Sequence, residues 1–122
     1  MEWIDALRGT IVGLDTAPLI YFIEEHPTYL PLVRPFFEAV DRGDFQIVTS
    51  ARQVITVPVS EEVAEEAAQL RSAHGLRTPD AIQLATAVRA RASSFLTNDS
   101  RLPKSVASLK LLILNQLIAT TP

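Results

Sequence analysis

A chain of 122 residues suffices for one domain and is too short for two, so residues 1–122 are expected to fold as a single unit. Hydrophobic residues make up 48%, which excludes global disorder, and the formal net charge of -3 excludes a strongly basic nucleic-acid coat while leaving room for a local basic patch. The absence of cysteine removes disulfides, thiolate nucleophiles and cysteine zinc sites.

The opening MEWIDALRGT carries two acids and no long apolar run, unlike a secretory leader. Residues 2–8 suit a short helix stopped by Gly9. TIVGLDT (10–16) is an apolar run rich in β-branched residues, as in a buried parallel strand. Pro18 suits the first position of a helix that continues as LIYFIEE and ends at His26-Pro27. A second helix is expected from Leu30 to Arg42, with Gly43 as its stop and a kink or break at Pro35. FQIVTS (45–50) reads as the second strand and VITVPV (54–59) as the third.

Ser60 is a suitable cap for the next helix, and Glu61 and Glu62 sit where the helix dipole favours acids. Val63, Ala64, Ala67 and Leu70 form its apolar face, and Gly75 its terminator. Thr78 is expected to cap a helix with Pro79 at its first position and Ala81, Leu84, Ala85 and Val88 along its buried stripe. SFLTND (94–99) and LKLLIL (109–114) complete the strands. LKLLIL falls far short of the roughly 20 residues of a membrane helix, so a cytoplasmic protein with no membrane span is expected. Strands alternating with helices predict an α/β fold: a parallel-rich central sheet flanked by helices on both faces, in three layers.

In such sheets, ligands bind outside the carboxyl ends of the strands. Asp15 follows the first strand and Asp99 follows SFLTN. Asp80 lies in the first turn of the helix that leads into SFLTN. That helix runs antiparallel to the strand, so its N-terminus returns to the same rim. Each acid has an ordinary explanation: a dipole partner for Asp80, a cap or turn residue for Asp15, a turn residue for Asp99. Together they predict one carboxylate cluster. Clustered carboxylates stay ionised only around a cation, and oxygen ligands favour Mg²⁺ or Mn²⁺ over zinc. Such a site suits metal-dependent phosphodiester hydrolysis.

LDTAPLIYFIEEHP (14–27), LRTPDAIQLATAVRARASSFLTND (76–99) and the closing LKLLIL strand together resemble the PIN domain. More narrowly, they are similar to the toxin ribonucleases of bacterial type II toxin–antitoxin pairs, over about Ile11 to Leu114. The resemblance implies a metal-dependent endoribonuclease. Asp15, Asp80 and Asp99 would hold Mg²⁺ or Mn²⁺, a metal-bound water would be the nucleophile, and Thr97 would sit where the family often has a hydroxyl. It also implies a small antitoxin protein as partner and RNA as substrate.

The family has a fourth acid, usually a Glu, on a helix shortly after the second strand. From Ala51 to Val57 this chain has no acid, and a helical hairpin between the second and third strands is missing. Physics makes the same point independently. Adjacent parallel strands need a crossover of about a dozen residues. Only Ala51, Arg52 and Gln53 separate FQIVTS from VITVPV, with no Gly or Asn to turn a hairpin. A single long strand, passing its outer half to a second chain, is the expected solution: a homodimer by segment exchange around residues 50–58. The shortening also admits a second reading, a catalytically weak or inactive PIN domain serving as a binding or assembly module.

Arg77, Arg101 and Lys104 flank the acids and are candidates for holding RNA phosphates. His26 and His74 stand at helix ends and suit hydrogen-bonding or dipole roles. Trp3, Tyr21, Tyr29, Phe36 and Phe37 fall on apolar helix patterns and suit the core or an interface. No phosphate-binding glycine loop and no serine nucleophile elbow is present.

Overall fold

The computed structural model describes residues 1–49 and 61–120. In chain order these form α1 (Glu2–Asp5), β1 (Ile11–Leu14), α2 (Thr16–Ile23), α3 (Leu30–Asp41), β2 (Gln46–Val48), α4 (Glu61–His74), α5 (Thr78–Arg89), β3 (Ser94–Thr97), β4 (Ser105–Val106), β5 (Leu109–Ile113) and α6 (Leu114–Thr120). One sheet has the order β2-β1-β3-β5-β4. The first four strands across it are parallel, and β4 joins β5 as an antiparallel edge. This is the expected α/β architecture.

Alternation along the strands sends side chains to two separate cores. On one face Phe95, Leu109 and Leu111 pack with Val63, Ala67 and Leu70 of α4 and with Ala81, Leu84, Ala85 and Ala87 of α5. On the other face Val12, Leu14, Ile47, Leu96 and Leu112 pack with Ile4 of α1 and with Leu32, Val33, Phe36 and Ala39 of α3. Neighbours such as Phe95 and Leu96 thus belong to opposite layers, as the period-two geometry of a strand requires.

Gly13 marks the tightest approach between layers. A Cβ there would lie 2.6 Å from Cδ1 of Phe95 and 2.7 Å from Cβ of Ala87, so only glycine lets α5 settle against β1. This contact seats the N-terminus of α5 over the sheet's rim.

Helix ends follow a shared pattern. At α3, Gly43 adopts φ 82 while the N–H of Asp44 reaches the carbonyl of Ala39 and that of Gly43 reaches Val40. The same pair of bonds closes α2 around Glu25 (φ 54) and α5 around Arg91 (φ 64), without glycine.

Several boundaries differ from expectation. α2 starts at Thr16, because the Asp15 side chain accepts from the Thr16 N–H; Pro18 is its third residue. α5 starts at Thr78 with Arg77 as cap residue, so Thr78 is inside the helix and Pro79 is its second residue. α3 runs unbroken past Pro35. Ala64 is exposed, since the buried face of α4 follows Val63, Ala67 and Leu70 alone. β4 and α6 were not anticipated. The third strand expected at 54–59, the exchange segment at 50–58 and the cap at Ser60 lie outside the described residues.

Candidate active site at the sheet rim

β1 and β3 are parallel neighbours, with Leu14 opposite Leu96. Their carboxyl ends therefore stop side by side. Asp15 follows Leu14 directly, and its N–H is tied to the Leu96 carbonyl at 2.9 Å. Thr97 is the last residue of β3 and is fully buried. Its hydroxyl donates to Oδ2 of Asp15 at 2.7 Å and accepts from the Asp99 N–H at 3.0 Å. One side chain thus fixes two of the predicted acids relative to each other. Asp15 spends its other oxygen, Oδ1, on the Thr16 N–H at 2.8 Å.

Asn98 completes the turn. Its amide donates to the Tyr21 hydroxyl at 3.2 Å, and its oxygen accepts from the Asn115 N–H at 2.9 Å, linking the rim to α2 and α6. Tyr21 stacks on Tyr29, and the Tyr29 hydroxyl donates to Asn115 at 3.1 Å. His26 accepts at Nδ1 from the N–H groups of Thr28 and Tyr29, the hydrogen-bonding role expected of it. Trp3 stacks on Phe36 in the core.

Asp80, in the first turn of α5, reaches the rim from the opposite side. Asp15 and Asp80 line one small cleft with Gln83, Leu84, Phe95 and Leu102. Gln83 was missed by the sequence reading. Its Oε1 is buried with no hydrogen-bond partner among the described residues, a cost of roughly 1–3 kcal/mol for a dry carbonyl oxygen. The available signal was spacing: a polar residue three positions after Asp80, between stripe residues Ala81 and Leu84.

The basic residues divide. Arg101 grips Asp99 with both ends of its fork, Nε to Oδ1 and Nη2 to Oδ2, each at 2.9 Å. Its backbone N–H also reaches Oδ1 at 3.0 Å. Arg77 donates to Oδ2 of Asp80 at 3.2 Å and stands 4.0 Å from Oδ2 of Asp99. The Arg101 guanidinium holds the Asp99 carboxyl below its ordinary pKa, against an opposing push from burial, and Asp99 in turn raises Arg101. Lys104 does not join them. Its side chain is exposed and makes no hydrogen bond or ion pair among the described residues; only its carbonyl is engaged, by the Leu111 N–H.

The donor chemistry of three carboxylates suits a hard divalent cation. Their placement does not. Among the described residues no three acids or histidines stand where they could share one ion, and guanidinium groups occupy Asp80 and Asp99. The rim is a self-neutralised cluster, three carboxylates against two arginines.

No curated protein matches this sequence. Among solved structures, a chain of a toxin–antitoxin complex from Klebsiella pneumoniae shares the fold, with a TM-score of 0.53 at 19% identity over 83% of this chain and 95% of that one. A family model described as the PIN domain matches residues 38–107. Asp80, Thr97 and Asp99 fall inside that stretch; Asp15 precedes it and is brought to the rim by the pairing of β1 with β3. PIN domains are generally nucleases and typically use divalent metals. With more than half of its 122 residues matched and a mostly parallel five-stranded sheet to carry them, this chain belongs to the PIN domain family.

Proposed function

We propose that the chain is an endoribonuclease of the toxin type, hydrolysing RNA phosphodiester bonds with help from Mg²⁺ or Mn²⁺. One observation carries the reading: Asp15, Asp80 and Asp99, from three different elements, meet at one strand rim through Thr97 and Arg77. A fold gains no stability by gathering like charges, so the arrangement argues for use.

In this reading Asp15, Asp80 and Asp99 are the metal-holding and catalytic acids. Thr97 keeps Asp15 aimed. Arg77, Arg101 and Lys104 take the phosphates of the RNA strand, the arginines through their bidentate forks. The metal is required on simple grounds. Three carboxylates repel a phosphodiester unless cations offset them. The solved neighbour is a toxin–antitoxin complex, which supports a small antitoxin protein as partner.

The test is cleavage of structured and unstructured RNA with Mn²⁺, with Mg²⁺ and with EDTA. Cutting should need the metal, and Asp80→Asn should lower it by about 100-fold or more, at or beyond the loss typical of weakened metal support. A folded protein that cuts no RNA with either metal would favour the second reading, a binding or assembly module, to which the acid-free stretch from Ala51 to Val57 also points.

A further inference from the structure

Each carboxylate oxygen at the rim can be followed to its partner. Both oxygens of Asp15 accept hydrogen bonds, from the Thr16 N–H and the Thr97 hydroxyl. Both oxygens of Asp99 are taken by Arg101. Oδ2 of Asp80 is taken by Arg77. Oδ1 of Asp80 is the one oxygen with no donor among the described residues.

The two arginines differ in kind from ordinary surface partners. Their side chains are 64% and 69% exposed, yet the carboxyl groups they hold are only 19% and 20% exposed. Each guanidinium lies across an acid from the solvent side. Mg²⁺ binds carboxylate oxygen at about 2.0–2.1 Å. A guanidinium 2.9 Å from both oxygens of Asp99 covers the face from which an ion would arrive, and two cations on one carboxylate repel. The arrangement that neutralises the cluster therefore also blocks it.

We propose that Arg101, assisted by Arg77, is an internal latch: it occupies the acids while the site is idle and moves to the substrate's phosphate when RNA arrives, freeing Asp99 and Asp80 for the metal. This rests on the acids being the metal site of the proposed nuclease. A phosphate is the natural competitor, because it offers the same fork-shaped fit to guanidinium as a carboxylate. No covalent step is involved; one ion pair is exchanged for another. Metal and RNA then favour each other's binding, and by linkage the coupling is the same in both directions. Neither ligand alone would load the site well.

The latch is tested by metal binding, with no cleavage needed. Free Mn²⁺ is counted by electron paramagnetic resonance in titrations of the full chain. Three proteins are compared: the wild type, Arg101→Gln, and Arg42→Gln, which removes an equal charge from a pair with Asp44 away from the acids. Each is titrated with and without a short RNA whose bridging oxygens are replaced to prevent cutting. Arg101→Gln should bind Mn²⁺ about tenfold more tightly than the wild type in the absence of RNA, and Arg42→Gln should match the wild type. RNA should tighten Mn²⁺ binding to the wild type and leave Arg101→Gln nearly unchanged. Arg101→Lys, which keeps the charge but loses the fork, should fall between. Equal affinity for wild type and Arg101→Gln overturns the latch, as does an equal gain in Arg42→Gln or the absence of Mn²⁺ binding to every variant. Thermal unfolding by circular dichroism confirms that each variant is folded. The nuclease reading is judged separately, by the cleavage assay: RNA cutting with equal Mn²⁺ affinities would retain the enzyme and discard the latch.

Discussion

Asp15 does two things with one carboxylate. It caps α2 through Oδ1 and receives the Thr97 hydroxyl through Oδ2, so its ordinary and its functional explanations both hold. They can be separated. Asn keeps a side-chain oxygen for the Thr16 N–H, whereas Ala loses it, and loss of such a cap costs about 1 kcal/mol. Urea unfolding should show Asp15→Asn within a few tenths of a kcal/mol of the wild type and Asp15→Ala about 1 kcal/mol less stable. RNA cleavage should be lost in both. A mutant pair that cuts RNA normally would leave Asp15 with capping alone. At this scale the sequence showed which acids converge, because strand ends and helix starts of a parallel sheet share a rim. It did not show their occupation by arginine. Arg77 and Arg101 stand three and two residues from the acids they hold, and such spacing fits a solvated side chain equally well. Gln83 was hidden for a related reason: an orphaned oxygen depends on what surrounds it, and that is settled only by packing.

Elements were legible where periodicity ran long. α3, α4 and α5 emerged close to their observed limits, because their buried residues recur at helical spacing. The β4–β5 hairpin was not seen. Its turn is Ala107-Ser108, with Ala107 at φ 52, where glycine or asparagine is the usual signal. α6 follows β5 without a break, so Leu114 looked like a strand residue and begins a helix. The element contact most sensitive to change is α5 on β1. Gly13→Ala would drive a methyl group into Phe95 and Ala87, and overpacking of this kind costs typically 1–3 kcal/mol. A denaturant midpoint lowered by that amount is expected, and because α5 carries Asp80, cleavage should fall with it. Unchanged stability would mean the two layers can part at no cost.

At the level of the whole molecule, the three-layer α/β arrangement followed from the alternation of strand and helix patterns, and both of its cores are observed. Among the described residues β2 forms the outer edge of the sheet beside β1. The sequence after it leaves Ala51, Arg52 and Gln53 as the only link to VITVPV, too short for a parallel crossover within one chain. A homodimer is therefore expected. Light scattering at micromolar concentration should give twice the 13.4 kDa chain mass. A mass of one chain would eliminate segment exchange and leave the acid rim intact as a property of the single subunit.

The pairing of β1 with β3 joins Val12 to Ser94 and Leu14 to Leu96 across most of the chain. Asp15 obtains its Thr97 hydrogen bond only through that pairing. During synthesis the first acid is made early, and the strand that positions it comes near the end. Contacts so distant in sequence form late, because loop closure must precede them. A partly made chain therefore carries Asp15 without Thr97, Asp99 or the sheet's middle. Whatever this rim does to RNA, it cannot begin on the ribosome until nearly the whole polypeptide has emerged.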